Sequence, residues 1–488
     1  YTMTEAAALE ATPSHSPLDA AAASVLAPSR SAIDASVRPV VVGLFLTATV
    51  WLLVSTLLGA LAAVKLHHPD FLNFSFLTYG RLAPAAENTF VFGWCGAAAL
   101  GVGAWIIART SGRVSPGHTL AAFGAVLWNG GVLVGLVATL GGWMRPLNGL
   151  ESPIASYLLL FAGLALFSIW VLLTFHDDEH HSLAAMFILA AFVWLGLSLL
   201  TGNLLIATNS VTGVVQQIVA AWTAGAVSRL FLVPLALGAA FYVVPKVSGA
   251  PIIAGSFARV MFWMYFGCAG LSLAAKVPGD LLPLWLGATA ASASILIVVP
   301  VVALVYILLA SAGVSHHGAG SPSLRFTVFG CGGLILSSLL IALASLRSVD
   351  SVVRFTLFDA GVQSLLLHVS VTMVLFGAIY YMMPRLSECE WLSSSLISFH
   401  FLGAAYGSSM AVGMLLLSGL AAGEAISEGA SSFQQVMEVG SSYFWGNSIS
   451  YVFVMAAHAA FGLHFLLMAL KIGQPAGEPT LLRAGSEH

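Results

Sequence analysis

Twelve apolar runs, each about as long as a bilayer is thick, constrain this chain more than any other feature of it. They lie near 39–64, 88–109, 119–143, 154–174, 183–207, 216–246, 257–275, 282–311, 325–346, 357–384, 396–421 and 446–471, bounded by Pro, Gly or charged residues. A helix needs roughly 20 apolar residues to cross the hydrocarbon core. No water reaches the backbone there, so each run has to hydrogen-bond internally as a helix. Composition agrees: 59% of the 488 residues are hydrophobic and 8% charged, where soluble domains carry about a quarter charged. The expectation is an all-α integral membrane protein of twelve transmembrane helices.

Residues 1–38, rich in Ala, Ser and Pro, read as a disordered tail, 39–471 as the membrane domain and 472–488 as a short second tail. The chain opens Tyr1-Thr2-Met3, so its start is Met3 or a residue upstream, and the first apolar run is too long for a signal peptide. With the N-terminus inside, inner segments hold Arg30, Arg38, Arg109, Arg113, Lys246, Arg259, Arg325, Arg385, Lys471 and Arg483. Outer ones hold Lys65, Arg81, Arg145, Lys276, Arg347 and Arg354. This bias places both termini in the cytoplasm. Cys95, Cys268, Cys331 and Cys389 stand on separate segments and no Cys-x-x-Cys-His occurs, which excludes covalent c-type haem on this chain. Phosphate-binding loops, dinucleotide fingerprints, basic stripes and 20–50-residue repeats are absent from the sequence.

Four local stretches say more. Arg81-Leu82-Ala83-Pro84-Ala85-Ala86-Glu87-Asn88 precedes the second run, and Phe241-Tyr242-Val243-Val244-Pro245-Lys246 closes the sixth. Ser345-Leu346-Arg347-Ser348-Val349-Asp350 precedes the tenth, which leaves through Gly377-Ala378-Ile379-Tyr380-Tyr381-Met382-Met383-Pro384. In order and spacing they resemble subunit I of the cbb3-type haem-copper oxidases, and Phe433-x-x-Val436-Met437-Glu438 before the last run is similar too. The resemblance implies a haem-copper oxidase subunit I-like bundle in a bacterial inner membrane.

It also implies ligands that this chain does not have. Axial imidazoles hold the family's haem iron and three more hold its copper, because a neutral ring nitrogen on a rigid helix is the right donor in a dry site. By the resemblance, the low-spin haem ligands fall on Ala86 and Ser364, and the high-spin ligand on Val362. The copper ligands fall on Gly225, Ala275 and Lys276, and the active-site tyrosine on Ala269. No histidine stands between His181 and His316, so no realignment recovers the copper set. No redox cofactor is therefore expected on this chain, and lipid or quinone is expected in the old haem space. Of the 14 histidines, His368, His400, His458 and His464 fall in late membrane runs. A relocated b-type haem would use two of them, for example His368 and His400, although packing histidines are the commoner case. His67, His68, His176, His180, His181, His316 and His317 fall in loops or near helix ends.

Arg229 stands one turn beyond the lost copper position in the sixth run, and Lys276 on a copper position itself. Glu87 and Asp359 flank the lost haem ligands. Intramembrane charge is costly unless paired, so these four are candidate buried charges, with Leu365 and Leu366 expected to fill emptied space; snorkelling to water is the alternative. The leading functional expectation is a pseudo-enzyme: a scaffold in a respiratory electron-transfer complex, beside a membrane-anchored cytochrome c subunit or a true oxidase subunit. Two alternatives stand behind it, an active oxidoreductase or b-haem carrier with relocated ligands, and an ion or small-molecule channel through the vacated cavity.

Overall fold

A computed structural model of the chain describes residues 28–175, 182–273, 283–313, 320–429 and 432–472. Among these, eleven helices are long and apolar enough to span a membrane. They are α1 (Arg30–Lys65), α2 (Tyr79–Ser111), α3 (Thr119–Gly141), α4 (Ile154–Thr174), α5 (Leu183–Ala207) and α6 (Val214–Ser248), then α8 (Leu284–Gly313), α9 (Pro322–Ala344), α10 (Leu357–Ser387), α11 (Ser394–Ser427) and α12 (Phe433–Ala469). The expected seventh span is the 18-residue helix α7 (Gly255–Ser272), whose first turns carry Arg259. A short helix, Arg347–Val353, leads into α10.

The ends follow from local chemistry. Ser29, Ser182, Ser393 and Ser432 each accept a hydrogen bond from a backbone N–H in the first turn of the helix they precede, meeting one of the donors a helix start leaves open. Ser29 therefore starts α1 at Arg30, so the helix takes in residues that composition assigned to the tail. Gly112 closes α2 in the left-handed region, at φ 62°, which only glycine enters without strain.

Three helices form the centre. In the most apolar window of α2 and α6, 94% of residues are buried, and 83% in α10, against 28–50% for the other eight spans. Lipid-facing helices need one apolar face inward and one outward, and the central three have no outward face. Each of the three contains a π-helical segment: Thr89–Gly96 in α2, Val227–Leu232 in α6 and Leu365–Val371 in α10. A π turn inserts one residue and re-aims the side chains beside it. The hydroxyl of Ser370 donates to the carbonyl of Leu365, five residues back, at 3.0 Å.

Around this centre, small residues let helices close up. A β-carbon on Gly124 of α3 would stand 2.8 Å from the Gly163 carbonyl oxygen of α4, so this crossing is backbone against backbone. On the face where α1 begins, Asp34 pairs with Arg109 at 3.0 Å and accepts from Trp105 at 3.0 Å, and Arg38 pairs with Glu388. At the opposite face, Arg81 donates to the Leu140 carbonyl at 3.1 Å and Asn88 to the Glu151 carboxylate at 3.2 Å. Two residues of the Arg81–Asn88 stretch thus tie α2 to its neighbours.

Candidate functional site

The ligand positions implied by the sequence sit just ahead of the π turns. Ser364 immediately precedes the segment in α10, Gly225 stands two residues before that in α6, and Ala86 three before that in α2. Each of the three central helices therefore has its wide turn beside a position that the resemblance implies for a ligand. Periodicity cannot reveal them, because one inserted residue leaves no mark in composition.

Ala86 and Ser364, from α2 and α10, line one cavity of about 160 Å³. Thr56 of α1, Glu87 and Phe90 of α2, Gln363 and His368 of α10, and Asn447 and Tyr451 of α12 line it as well. Its deeper wall is ordered. The His368 ring stacks on Phe90 with centroids 3.8 Å apart, and Thr56 Oγ1 lies 2.9 Å from His458 Nδ1. Trp94 Nε1 donates to Thr372 Oγ1 at 3.0 Å, holding α2 to α10. Glu87 is exposed at the mouth. A dry void of this size would destabilise the fold by about 4 kcal/mol at roughly 24 cal/mol per Å³.

The other places are filled. A β-carbon on Gly225 would stand 2.9 Å from Leu273 Cδ2, so the residue just past α7 covers the position that the resemblance implies for a copper ligand. Val362 is buried with Val353 and Phe358 against Leu340, Ile341 and Leu416, and Leu365 packs with Val369 and Val412. Ala269 is fully buried. One turn earlier Tyr265, which nothing in the sequence singled out, donates its hydroxyl to the Arg229 carbonyl at 2.6 Å. Spacing alone could have found it, since Tyr265, Ala269 and Ser272 share one helical face.

Arg229 is buried, 5% exposed, in the π segment of α6. Its Nη1 donates to Ser272 Oγ at 3.1 Å, and it lines a second, small cavity of about 20 Å³ with Leu366, Tyr265 and Ser337. No ion pair joins it to another of the described residues. Asp359, exposed at the start of α10, acts on it through its field without touching it. The structure therefore gathers Glu87, Ala86 and Ser364 at one cavity and Arg229 with Leu366 at another. Ala275 and Lys276 lie outside the described residues, as do His176, His180, His181, His316 and His317.

The late histidines sit in packed surroundings, and the His400 and His458 rings lie 6.2 Å apart. The Tyr380 hydroxyl lies 2.9 Å from His400 Nδ1, and the His400 ring is 4.4 Å from Phe376 and 4.9 Å from Phe461. His464 Nε2 accepts from the Ser393 N–H at 3.3 Å. A haem between His368 and His400 needs a flat gap for the macrocycle with a nitrogen on each side; aromatic rings fill the space around His400, and these residues do not fit one. Among the described residues no group of three or more His, Cys, Asp or Glu side chains converges as a metal site. The four cysteines are free.

The sequence and the fold both have relatives. A family described as "Cytochrome C and Quinol oxidase polypeptide I" matches residues 39–455. The chain is 24% identical over 400 residues to "Cbb3-type cytochrome c oxidase subunit CcoN1" of Stutzerimonas stutzeri, covering 77% of this chain and 81% of that one. It is 25% identical over 411 residues to "Cytochrome c oxidase subunit 1" of Rhodobacter capsulatus, covering 78% and 74%. A subunit of a solved heme-copper terminal oxidase dimer superposes with a TM-score of 0.72 at 12% identity, over 90% of this chain and 86% of that one. The match over residues 39–455 takes in nearly all the spans, and the protein is a multi-pass membrane protein belonging to the cytochrome c and quinol oxidase polypeptide I family.

Proposed function

We propose that this protein is a non-catalytic member of its family, a degenerate relative of the cbb3-type subunit I that serves as a membrane scaffold in a respiratory electron-transfer complex. The observation that carries the reading is the state of the ligand positions: Ala86, Gly225, Val362 and Ser364 offer no ring nitrogen, and two of them are overlaid by Leu273 and by Leu416, Leu340 and Ile341. A site awaiting its metals would keep its donors and their space. Packed leucines in place of ligands mean that the fold is stabilised through apolar contact there.

Its surroundings are proposed on the same footing. The subunit sits in a bacterial inner membrane with both termini in the cytoplasm, following the Lys/Arg bias. Its partners are a membrane-anchored cytochrome c subunit or a complete oxidase subunit, packed on the lipid-facing helices. Those helices expose large side chains such as Trp263, at 70%, and Trp285, at 67%.

The test is a reduced-minus-oxidised pyridine haemochrome spectrum of the complex purified from its native membrane. Any haem is assigned to a subunit by mass spectrometry, with copper measured in parallel. The expected outcome is neither b-type haem nor copper in stoichiometric amount with this chain. A stoichiometric b haem on it would overturn the reading and make His368, His400, His458 and His464 the ligands to substitute.

A further inference from the structure

We infer that the place where α1, α2, α6 and α10 meet, on the face where α1 begins, is a binding site for a phosphate group, carried by a soluble phosphoester or by the head group of an anionic phospholipid. It lies at the other end of α2 and α10 from Ala86 and Ser364, so it does not depend on whether the chain carries haem.

Three apolar runs have a cation at this end: Arg38 just before that of α1, Arg109 at the close of that of α2 and Arg385 directly after Pro384 of α10. Folding gathers them around three rings. Trp105 of α2 has its ring centroid 5.4 Å from that of Tyr242 of α6 and 6.1 Å from that of Tyr381 of α10. The Arg109 guanidinium carbon stands 5.1 Å from the centre of the Trp105 ring, and that of Arg385 3.7 Å from the centre of the Tyr381 ring. Contact with a ring face holds a guanidinium in place before any ligand arrives.

The charges here do not balance. Asp34 is 5% exposed and pairs with Arg109, and Glu388 pairs with Arg38. The field of Arg385 also reaches Asp34, that of Arg30 reaches Tyr381 and that of Lys471 reaches Glu388. Neither Arg385 nor Arg30 pairs with a carboxylate among the described residues. With Glu390 counted too, Arg30, Arg38, Arg109, Arg385 and Lys471 outnumber Asp34, Glu388 and Glu390. Arg385 is half-buried and its Nη1 donates to the Tyr381 carbonyl, which leaves most of its donor fork unspent. The N-terminus of α1, with no acidic residue in its first turn, adds the positive end of a helix dipole.

The donor set selects the class. Guanidinium forks match the oxygen spacing of carboxylate and phosphate, and a halide makes no use of their parallel bonds. Two unpaired guanidiniums and the Tyr242 hydroxyl offer more donors than the two oxygens of a carboxylate can occupy, whereas a phosphate has oxygens for all of them. A positive bias at a membrane face needs only side chains that snorkel to water. These guanidiniums instead lie on rings of the central helices, which have no lipid-facing side. A soluble phosphoester reaches them from water, and a phospholipid along α1, which is only half buried.

The experiment uses the full chain with its native partners. Inorganic phosphate and pyrophosphate are the soluble probes, read by thermal shift in detergent against chloride at equal ionic strength. Native mass spectrometry reads phosphatidylglycerol retained from nanodiscs that mix it with phosphatidylcholine. Saturable stabilisation by pyrophosphate beyond that of chloride, or retention of phosphatidylglycerol over phosphatidylcholine, is expected. Arg385→Gln should weaken the bound species by about tenfold, and Arg385→Lys, which keeps the charge and loses the fork, by less. Tyr242→Phe removes one hydroxyl, should weaken binding by about threefold, and serves if Arg385→Gln misfolds. A pyrophosphate shift without retained phosphatidylglycerol identifies a soluble phosphoester as the source, whereas phosphatidylglycerol kept by the wild type and lost in Arg385→Gln identifies a head group. Chloride matching pyrophosphate together with no preference for phosphatidylglycerol, or binding that neither Arg385→Gln nor Tyr242→Phe weakens, would overturn the proposal.

Discussion

Around Ala86 and Ser364 the helices enclose about 160 Å³, whereas beside Arg229 they leave about 20 Å³. Both regions lie where the family resemblance places a redox group, and both lack its ligands. They differ in what can reach them. The first has Glu87, Gln363 and Tyr79 at or near its mouth, so a ligand, lipid or water can enter and offset the void. The second lies between the central helices and α7, where an empty volume destabilises the fold in proportion to its size. There leucine and valine side chains close the space, and the one buried charge, Arg229, is held by Ser272 and not by a counter-ion among the described residues.

The sharpest way to break this comparison is to place the same polar group at the open cavity and at a ligand position that packing closes, Val362. Val362→Asn puts an amide among Val353, Phe358 and Leu416 with no partner, which should cost about 2–3 kcal/mol and visibly reduce the folded yield in fluorescence-detected size exclusion. Ser364→Asn puts it against the open cavity, where it should stay within about 0.5 kcal/mol of the parent. Equal losses from the two would mean that both places are closed.

A smaller effect separates them by volume. Gly225→Val pushes methyl groups into Leu273 and should lower stability by about 1–3 kcal/mol, as overpacking does. Ala86→Val points into space already present and should leave the melting temperature unchanged or slightly raised. If Gly225→Val is harmless, Leu273 moves freely and the copper place is less closed than its geometry indicates.

Much of this was readable before any coordinates. The spans are legible because twenty apolar residues in a row have few other uses, and α7, with Arg259 near its start, is the one that falls short of the others. The positions that the resemblance implies for ligands can be counted to, Ala86, Gly225, Val362 and Ser364, because Arg81, the Pro245-Lys246 exit and Pro384 set a register for three helices. The fates of the two regions are not. Whether Leu273 reaches Gly225, or Asn447 of α12 comes to the same cavity as Ala86, depends on rotamers and crossings between segments far apart in the chain. The Asp34–Arg109 pair, made at one end of the α1–α2 contact, is hidden in sequence for the same reason. Leu366, expected as a filler, lies in the π segment of α10 and lines the Arg229 cavity.

The smallest expected effect tests whether the open region communicates with bulk water. His67 follows α1 at the same end as the cavity mouth. Its ring stacks on Trp445 at 4.2 Å, its Nε2 lies 2.9 Å from Ser448 Oγ, and both partners flank Asn447 on α12. Burial, and secondarily the neighbouring His68, hold its imidazole below the ordinary value of 6.5. Below that value the unfolded chain binds a proton that the folded chain still refuses, so stability falls as pH drops through the ordinary histidine range and is flat above it. The melting temperature should therefore decline from about pH 7.5 to about pH 5.5, and His67→Phe, which keeps a ring against Trp445 and removes the titration, should shed part of that decline. Val362→Leu, at a closed position away from the cavity, should leave the slope as it is. If His67→Phe and the wild type lose stability in parallel, the α1–α12 contact beside the cavity does not sense bulk pH, and the contrast between an open and a closed place rests on volume alone.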